Sequence, residues 1–122
     1  MTKGAALQSF FASIMTAYPA TAVPDDAEYP YLTYDAPFAA WGDGETAVTV
    51  NMWFYTASEA APNAAAQRLS EAIGRGGVFL ACDDGAIWLK RGSPWCQSVR
   101  DDNDASIKRR YINISAEFLT TN

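Results

Sequence analysis

The chain has 122 residues, 49% of them hydrophobic and 19% charged, so it is long enough for one buried core and too apolar for a disordered protein. Nine Lys and Arg against 14 Asp and Glu give a net charge of −5, which disfavours a protein that wraps nucleic acid. The absence of histidine excludes Ser-His-Asp and Cys-His nucleophiles and His-ligated metals.

Cysteine usage and targeting signals carry little information. Cys82 and Cys96 are too few for a disulfide scaffold, and we expect two partly buried free thiols. Polar residues interrupt the apolar N-terminal segment, which makes it a weak signal peptide. No apolar run approaches the roughly 18 residues of a transmembrane helix, so we expect a cytoplasmic protein, as in a bacterium.

The first half of the chain predicts one helix and two strands. Leu7, Phe10, Phe11, Ile14 and Tyr18 follow the spacing of one helical face, with Thr2 as the N-cap and Tyr18-Pro19 as the end. A proline-rich surface loop covers 19–30, and a strand follows over 31–36. After a turn at 41–44, the strand 47–55 alternates clearly, with Trp53 and Tyr55 on the face opposite its aliphatic residues.

The second half predicts one helix and four strands. Residues 56–59, Thr-Ala-Ser-Glu, fit a capping box for a helix that starts between 57 and 62, with Pro62 at its first position. This helix ends at Ile73 with Gly74 as its cap. Strands are expected over 78–81, 86–91, 95–100 and 107–119, the first two joined by a hairpin at 83–85.

These elements predict a single domain over 1–122 of the α+β class. The expected order is α-β-β-α-β-β-β-β. Because hairpin-linked strands favour antiparallel pairing, we expect a mostly antiparallel sheet with two helices packed on one face. The long final strand is expected to lie centrally or to bend.

The candidate cation and phosphate sites do not have the residue spacing or position that such sites require. A calcium loop that starts at Asp102 would need glycine where Ile107 stands and glutamate where Asn113 stands, so the Asp101 to Asp104 run is interpreted as a turn. Gly74 to Gly77 follows a helix and opens a strand, the reverse of a phosphate loop. We therefore predict no catalytic residue, cofactor or metal site, and a protein that is not an enzyme.

Charged and aromatic residues near the last strand are the candidates for a partner interface. The basic run 108–110 follows the acidic turn, which favours an intermolecular ion-pair surface or a solvated edge over a nucleic-acid footprint. Alternation places Arg109 on one sheet face and its two neighbours on the other. Aromatic residues opposite the aliphatic face indicate either a second covered face or contact with another subunit. The candidate interface residues are Trp53, Tyr55, Asp101, Asp102, Asp104, Lys108, Arg109, Arg110 and Tyr111.

Five segments together resemble a known family. They are Tyr29–Tyr34 (YPYLTY), Val48–Trp53 (VTVNMW), Gly74–Gly77 (GRGG), Gly85–Pro94 (GAIWLKRGSP) and Tyr111–Leu119 (YINISAEFL). Across most of the chain the sequence resembles small structural proteins of tailed phages and prophages. Within that group it is most similar to the tail-terminator family, the tail-completion and head–tail joining proteins of long-tailed phages.

The resemblance implies a role rather than a set of site residues. Tail terminators are α+β subunits that form a hexameric ring on the finished tail tube, stop its polymerisation and offer a surface to the head connector. It implies the tube protein, the head-completion protein and further copies of the chain as partners, with DNA passing through the ring without specific binding. It also implies location in the virion neck. The alternatives are a neighbouring neck or minor capsid protein, or a monomeric binding module of unknown ligand.

Overall fold

The computed structural model describes all 122 residues and contains two helices and six strands. In chain order they are α1 (Lys3–Ala12), β1 (Ala17–Pro19), β2 (Tyr31–Asp35), β3 (Glu45–Tyr55), α2 (Ala60–Ile73), β4 (Val78–Cys82), β5 (Gly85–Arg100) and β6 (Ile107–Thr120). The predicted α+β class is confirmed. Two details differ: a short strand β1 precedes β2, and one strand, β5, stands where two were expected.

All six strands form one sheet in the order β1-β2-β3-β6-β5-β4. Every neighbouring pair is antiparallel except β1 with β2. The last strand β6 lies in the centre, as expected from its length, and pairs along β3 and β5. The sheet edges are the short β1 on one side and β4 on the other.

Both helices pack on the same face of the sheet, as predicted. Val48, Val50 and Met52 of β3 are fully buried, and Ile112 and Ile114 of β6 continue this layer. Helix α1 joins it where Phe11 stacks on Tyr34, with ring centroids 4.7 Å apart. Helix α2 adds Ala65, Leu69 and Ile73. We call this side the helix face and the opposite side the open face.

Helix α1 is shorter than the apolar spacing predicts. Thr2 is its N-cap, as expected, and accepts a hydrogen bond from the Ala5 N–H at 3.1 Å. The helix ends at Ala12 rather than Tyr18. Residues 17–19 leave it to pair with β2, because Leu32 N donates to Thr16 O and Ala20 N donates to Tyr34 O. Tyr18 therefore lies on a strand.

Helix α2 begins without the predicted capping box. Glu59 occupies the N-cap position, but its side chain makes no cap hydrogen bond. The Thr56 and Ser58 hydroxyls instead accept from the backbone N–H groups of Ser58 and Ala60. Pro62 is the third helical residue rather than the first, where its missing N–H breaks no helical bond. The predicted end at Ile73 with Gly74 as the cap is confirmed.

Strand β5 runs through the Gly92-Ser93-Pro94 segment, which was expected to break it. The pairing with β6 shifts there, from Arg91 opposite Ile114 to Cys96 opposite Ile112. A bulge accommodates the extra residues of β5, so Pro94 does not have to donate a backbone hydrogen bond to β6. The Asn113 amide donates to Pro94 O at 2.8 Å and holds the bulge on β6.

Candidate functional site

The open face of the sheet has no helix over it, and it carries the aromatic residues that the alternation had placed there. Trp53 and Tyr55 of β3 and Arg109 and Tyr111 of β6 occupy the positions opposite the buried aliphatic residues. Register agrees, since Trp53 pairs with Arg109 and Asn51 with Tyr111. The predicted division of these residues between two faces is therefore confirmed.

Five side chains form a connected group, which we call the aromatic cluster: Tyr18, Tyr29, Tyr31, Trp53 and Tyr55. Tyr31 is its centre, with ring centroids 5.5 Å from Tyr29, 5.9 Å from Tyr18 and 6.4 Å from Trp53. Tyr55 joins through Tyr29 at 5.9 Å. Tyr29 is 42% exposed and Tyr55 61% exposed, so the cluster presents aromatic surface to the solvent.

Trp53 is fixed within the cluster from three sides. Its indole N–H donates to the Thr33 hydroxyl at 3.3 Å, and Tyr31 stacks beside its ring. The Arg109 guanidinium lies 5.2 Å from the ring centroid, within cation–π range. Arg109 makes no ion pair within the chain, so its charge remains free for a partner.

A shallow cavity adjoins Trp53 at the end of the sheet. It has a volume of about 260 Å³ and is lined by Trp53, Arg109 and the segment 100–103. Within this segment the Asp101 carboxylate accepts from the N–H groups of Asn103 and Asp104. The Asp104 carboxylate accepts from Ser106 N–H. The turn interpretation is therefore confirmed, and Asp101 and Asp102 line the same cavity as Arg109.

Lys108 and Arg110 lie on the helix face, away from the aromatic cluster. Arg110 is only 3% exposed and donates to the Glu59 carboxylate and, at 2.9 Å, to the Asn63 amide oxygen. The Lys108 ammonium lies 3.9 Å from Glu59. The expectation that Arg110 belongs to a partner interface is wrong for the folded subunit, because α2 covers it.

Glu59 takes its partners from the sheet rather than from its own helix. The hydrogen bond from Arg110 holds the pKa of the Glu59 carboxyl below its usual range, and the charges of Arg110 and Lys108 act in the same direction. This pairing explains why Glu59 does not form the predicted capping box. Its partner lies 51 residues further along the chain, so no local pattern could have revealed it.

A second aromatic pair lies at the other end of the open face, in a region where the sequence predicts no site. Phe79 of β4 stacks on Trp88 of β5, with centroids 5.2 Å apart and an angle of 14° between the rings. The Lys90 ammonium lies 4.1 Å from the Trp88 centroid and pairs with Glu45. Phe79 remains 59% exposed, so this end also offers apolar surface.

Local sequence patterns did not predict that Tyr18 and Tyr29 belong to the aromatic cluster. Tyr18 was placed on a helix, and Tyr29 in a surface loop. Both reach Tyr31 because β1 pairs with β2 and the loop returns at Pro30. The Tyr-Pro-Tyr sequence at 29–31 was the available signal, since two tyrosines beside an alternating strand can reach one sheet face.

The two cysteines and the acidic residues are the remaining candidate groups. Cys82 and Cys96 are free, half-buried thiols, as expected. Burial raises the pKa of the Cys96 thiol, which makes it less reactive, although Arg110 acts in the opposite direction. No group of three or more His, Cys, Asp or Glu residues could hold a metal ion.

No protein-family model matches the chain, and no curated protein matches it. Neither helix has the length and apolar character needed to cross a membrane.

Proposed function

We propose that the chain is a structural subunit of a phage or prophage virion, a tail terminator that forms a ring on the tail tube. In this role it stops tube polymerisation and joins the tail to the head connector, without a catalytic step. The sequence resemblance supplies the role. The observation that carries the proposal is the open sheet face, with its exposed aromatic cluster and unpaired Arg109.

The composition of this face suits a protein interface. Tyr, Trp and Arg are the residues enriched at interface centres, where rigid rings bury a large area at low entropic cost. Here the rings of Tyr29 and Tyr55 are exposed, while Trp53 of the same cluster is held in place by Thr33 and Tyr31. A positioned, partly exposed aromatic group is what an interface needs before its partner arrives.

A ring requires a head-to-tail contact between two different surfaces of the subunit. The aromatic cluster and Arg109 provide one aromatic and cationic surface. Asp26 and Glu28 of the 20–30 loop border this surface, because they line a cavity together with Tyr18 and Tyr29. Asp43, in the turn before β3, lies at the other end of the sheet, on a chain whose net charge is −5. An overall acidic ring also lets DNA pass through its hole without specific binding. Assembly of this kind would take place in the bacterial cytoplasm, and the finished ring would lie in the virion neck.

Recruitment to tail tubes tests this proposal. Purified tubes of the phage or prophage that encodes the chain are mixed with the wild-type protein and sedimented. We expect the protein to co-sediment and electron microscopy to show it at one tube end. If the protein stays in the supernatant and tube ends remain bare, the tail-terminator proposal is wrong.

A further inference from the structure

Strand β4 is an edge of the sheet, with α1 packed against it on the helix face and no further strand beside it. Its five residues, Val78 to Cys82, are Val-Phe-Leu-Ala-Cys, with no charge and no proline. Natural proteins usually blunt such edges with lysine, proline, bulges or a covering segment, because free backbone groups and apolar side chains attract another strand. None of these protections is present within β4.

The opposite edge of the sheet shows the contrast. Strand β1 has three residues and ends in Pro19, which has no N–H to offer. The Gln8 amide donates to Ala17 O at 2.9 Å and occupies a carbonyl there. The β1 edge is therefore short, and one of its backbone carbonyls already accepts a hydrogen bond, whereas β4 is longer and carries no charge.

The hairpin geometry shows which groups of β4 remain free. Cys82 pairs with Gly85 across a two-residue loop, so these two residues exchange backbone hydrogen bonds. Alternation then directs the N–H and C=O groups of Phe79 and Ala81 away from β5. No turn, loop or side-chain hydrogen bond uses them, and the nearest edge contact is Asp83 N–H donating to Met1 O.

Side chains on both faces of β4 also remain incompletely covered. Phe79 is exposed on the open face beside Trp88. On the helix face, Val78, Leu80 and Cys82 pack against the core but are only half-buried. The apolar layer therefore ends at this strand with unburied surface on each side.

We propose that a second copy of the chain pairs with β4 through its own β4, antiparallel about a two-fold axis beside Leu80. This register places Phe79 opposite Ala81 of the second copy, and Ala81 opposite its Phe79. The backbone N–H and C=O groups of Phe79 and Ala81 that point away from β5 then all form hydrogen bonds to the second copy. Every residue of β4 lies opposite a residue of the other β4. The two sheets become one continuous sheet, with both open faces on the same side.

Charge at the strand ends favours the antiparallel second copy. Arg75, exposed and without an ion pair, lies just before β4. Asp83 and Asp84 lie just after it, where the Met1 ammonium pairs with Asp83 and leaves Asp84 as the carboxylate without an ion pair. Antiparallel pairing brings Arg75 of each copy towards the acidic end of the other. Parallel pairing would place equal charges side by side. Because a two-fold contact differs from the head-to-tail contact of a ring, this inference is independent of the proposed function.

Disulfide trapping tests the register. In a background with Cys82→Ser and Cys96→Ser, we compare Leu80→Cys with Ala81→Cys under mild oxidation. Residues directly opposite at a non-hydrogen-bonded pair have Cα atoms about 4.5 Å apart, within disulfide range, so Leu80→Cys is expected to form covalent dimers. Ala81→Cys faces Phe79 of the second copy and is the matched control that should stay monomeric. Absence of the Leu80→Cys dimer, or equal cross-linking at both positions, would overturn the proposal.

An affinity comparison tests the edge without cysteine chemistry. Ala81→Lys places a charge on the free edge, while Ala86→Lys places it on the neighbouring strand β5, directly opposite Ala81. Native mass spectrometry over a concentration series should show a wild-type dimer. Ala81→Lys should weaken this dimer by at least about tenfold, with Ala86→Lys close to wild type. A wild-type protein without dimer, or equal weakening by both variants, contradicts the proposal.

Discussion

Arg109 and Arg110 are neighbours in the sequence and have opposite environments. Arg109 lies over Trp53 on the open face without an ion pair, while Arg110 is buried under α2 with Glu59 and Asn63. Because successive side chains of a strand point to opposite faces, Arg109 is available for surface contacts, whereas Arg110 stabilises the packing of α2 on the sheet.

Replacement of Arg110 should therefore affect stability, while replacement of Arg109 should not. We expect Arg110→Ala to lower the free energy of unfolding by about 2 kcal/mol, because packing and charged hydrogen bonds are lost in a buried place. Arg109→Ala is the matched control and should cost less than about 1 kcal/mol, the scale of an exposed cation–π contact. Urea denaturation measures both values. Equal losses for the two variants would contradict this division of roles.

The pairing of Glu59 with Arg110 also predicts a pH dependence. The pKa of Glu59 is lower in the folded chain than its ordinary value of 4.5, so the pairing contributes its full stability above that value. The contribution decreases as the pH falls through the lower folded-state pKa. Glu59→Gln should therefore flatten the fall of Tm with acidification, relative to wild type, in this range. An unchanged pH profile in Glu59→Gln would show that the pair does not contribute.

Local sequence patterns correctly predicted the features of helices and strands that depend on neighbouring residues alone. The two faces of β3 and β6 follow from period-two alternation, and the end of α2 follows from Gly74. The misplaced boundaries all depend on distant partners. Residues 17–19 pair with β2 instead of extending α1. The Glu59 side chain pairs with Arg110 instead of capping α2. The 92–95 segment of β5 remains in the sheet because Asn113 holds its bulge.

The β4–β5 hairpin provides a test of an element that the sequence predicted correctly. Gly85 has a φ of 148°, and a Cβ there would lie 1.9 Å from Leu119 O, a backbone atom. Gly85→Ala should therefore lower the free energy of unfolding by several kcal/mol, about 3 or more, or prevent folding. Gly76→Ala is the control, because no atom lies within 4 Å of its Cβ position. Thermal unfolding by circular dichroism compares them, and similar Tm values would refute the close approach.

At the scale of the whole molecule, the fold leaves one sheet face without cover. Helices α1 and α2 both pack on the helix face, and aromatic residues of the open face remain partly exposed. The sequence predicted Trp53, Tyr55, Arg109 and Tyr111 for this face. It could not predict how Tyr18 and Tyr29 join them, since that depends on the pairing of β1 and the return of the loop.

Tyr55→Ala and Arg109→Glu should reduce the binding of the chain to tail tubes by at least about tenfold, since each changes the exposed part of the aromatic surface. Trp41→Ala and Arg68→Glu are matched controls. Trp41 is 72% exposed in a turn, and Arg68 is exposed on α2, both away from the open face. The co-sedimentation assay measures all four. Losses in the controls equal to those in the two test variants would place the interface elsewhere.

The mass and shape of the largest assembly distinguish a ring-forming subunit from a smaller oligomer. Native mass spectrometry over a concentration series, alone and with tail tubes, is combined with negative-stain imaging. The proposed function predicts a closed ring of six subunits with a central hole, formed alone or on the tube end. A protein that never exceeds a monomer or a two-fold dimer under either condition would contradict it.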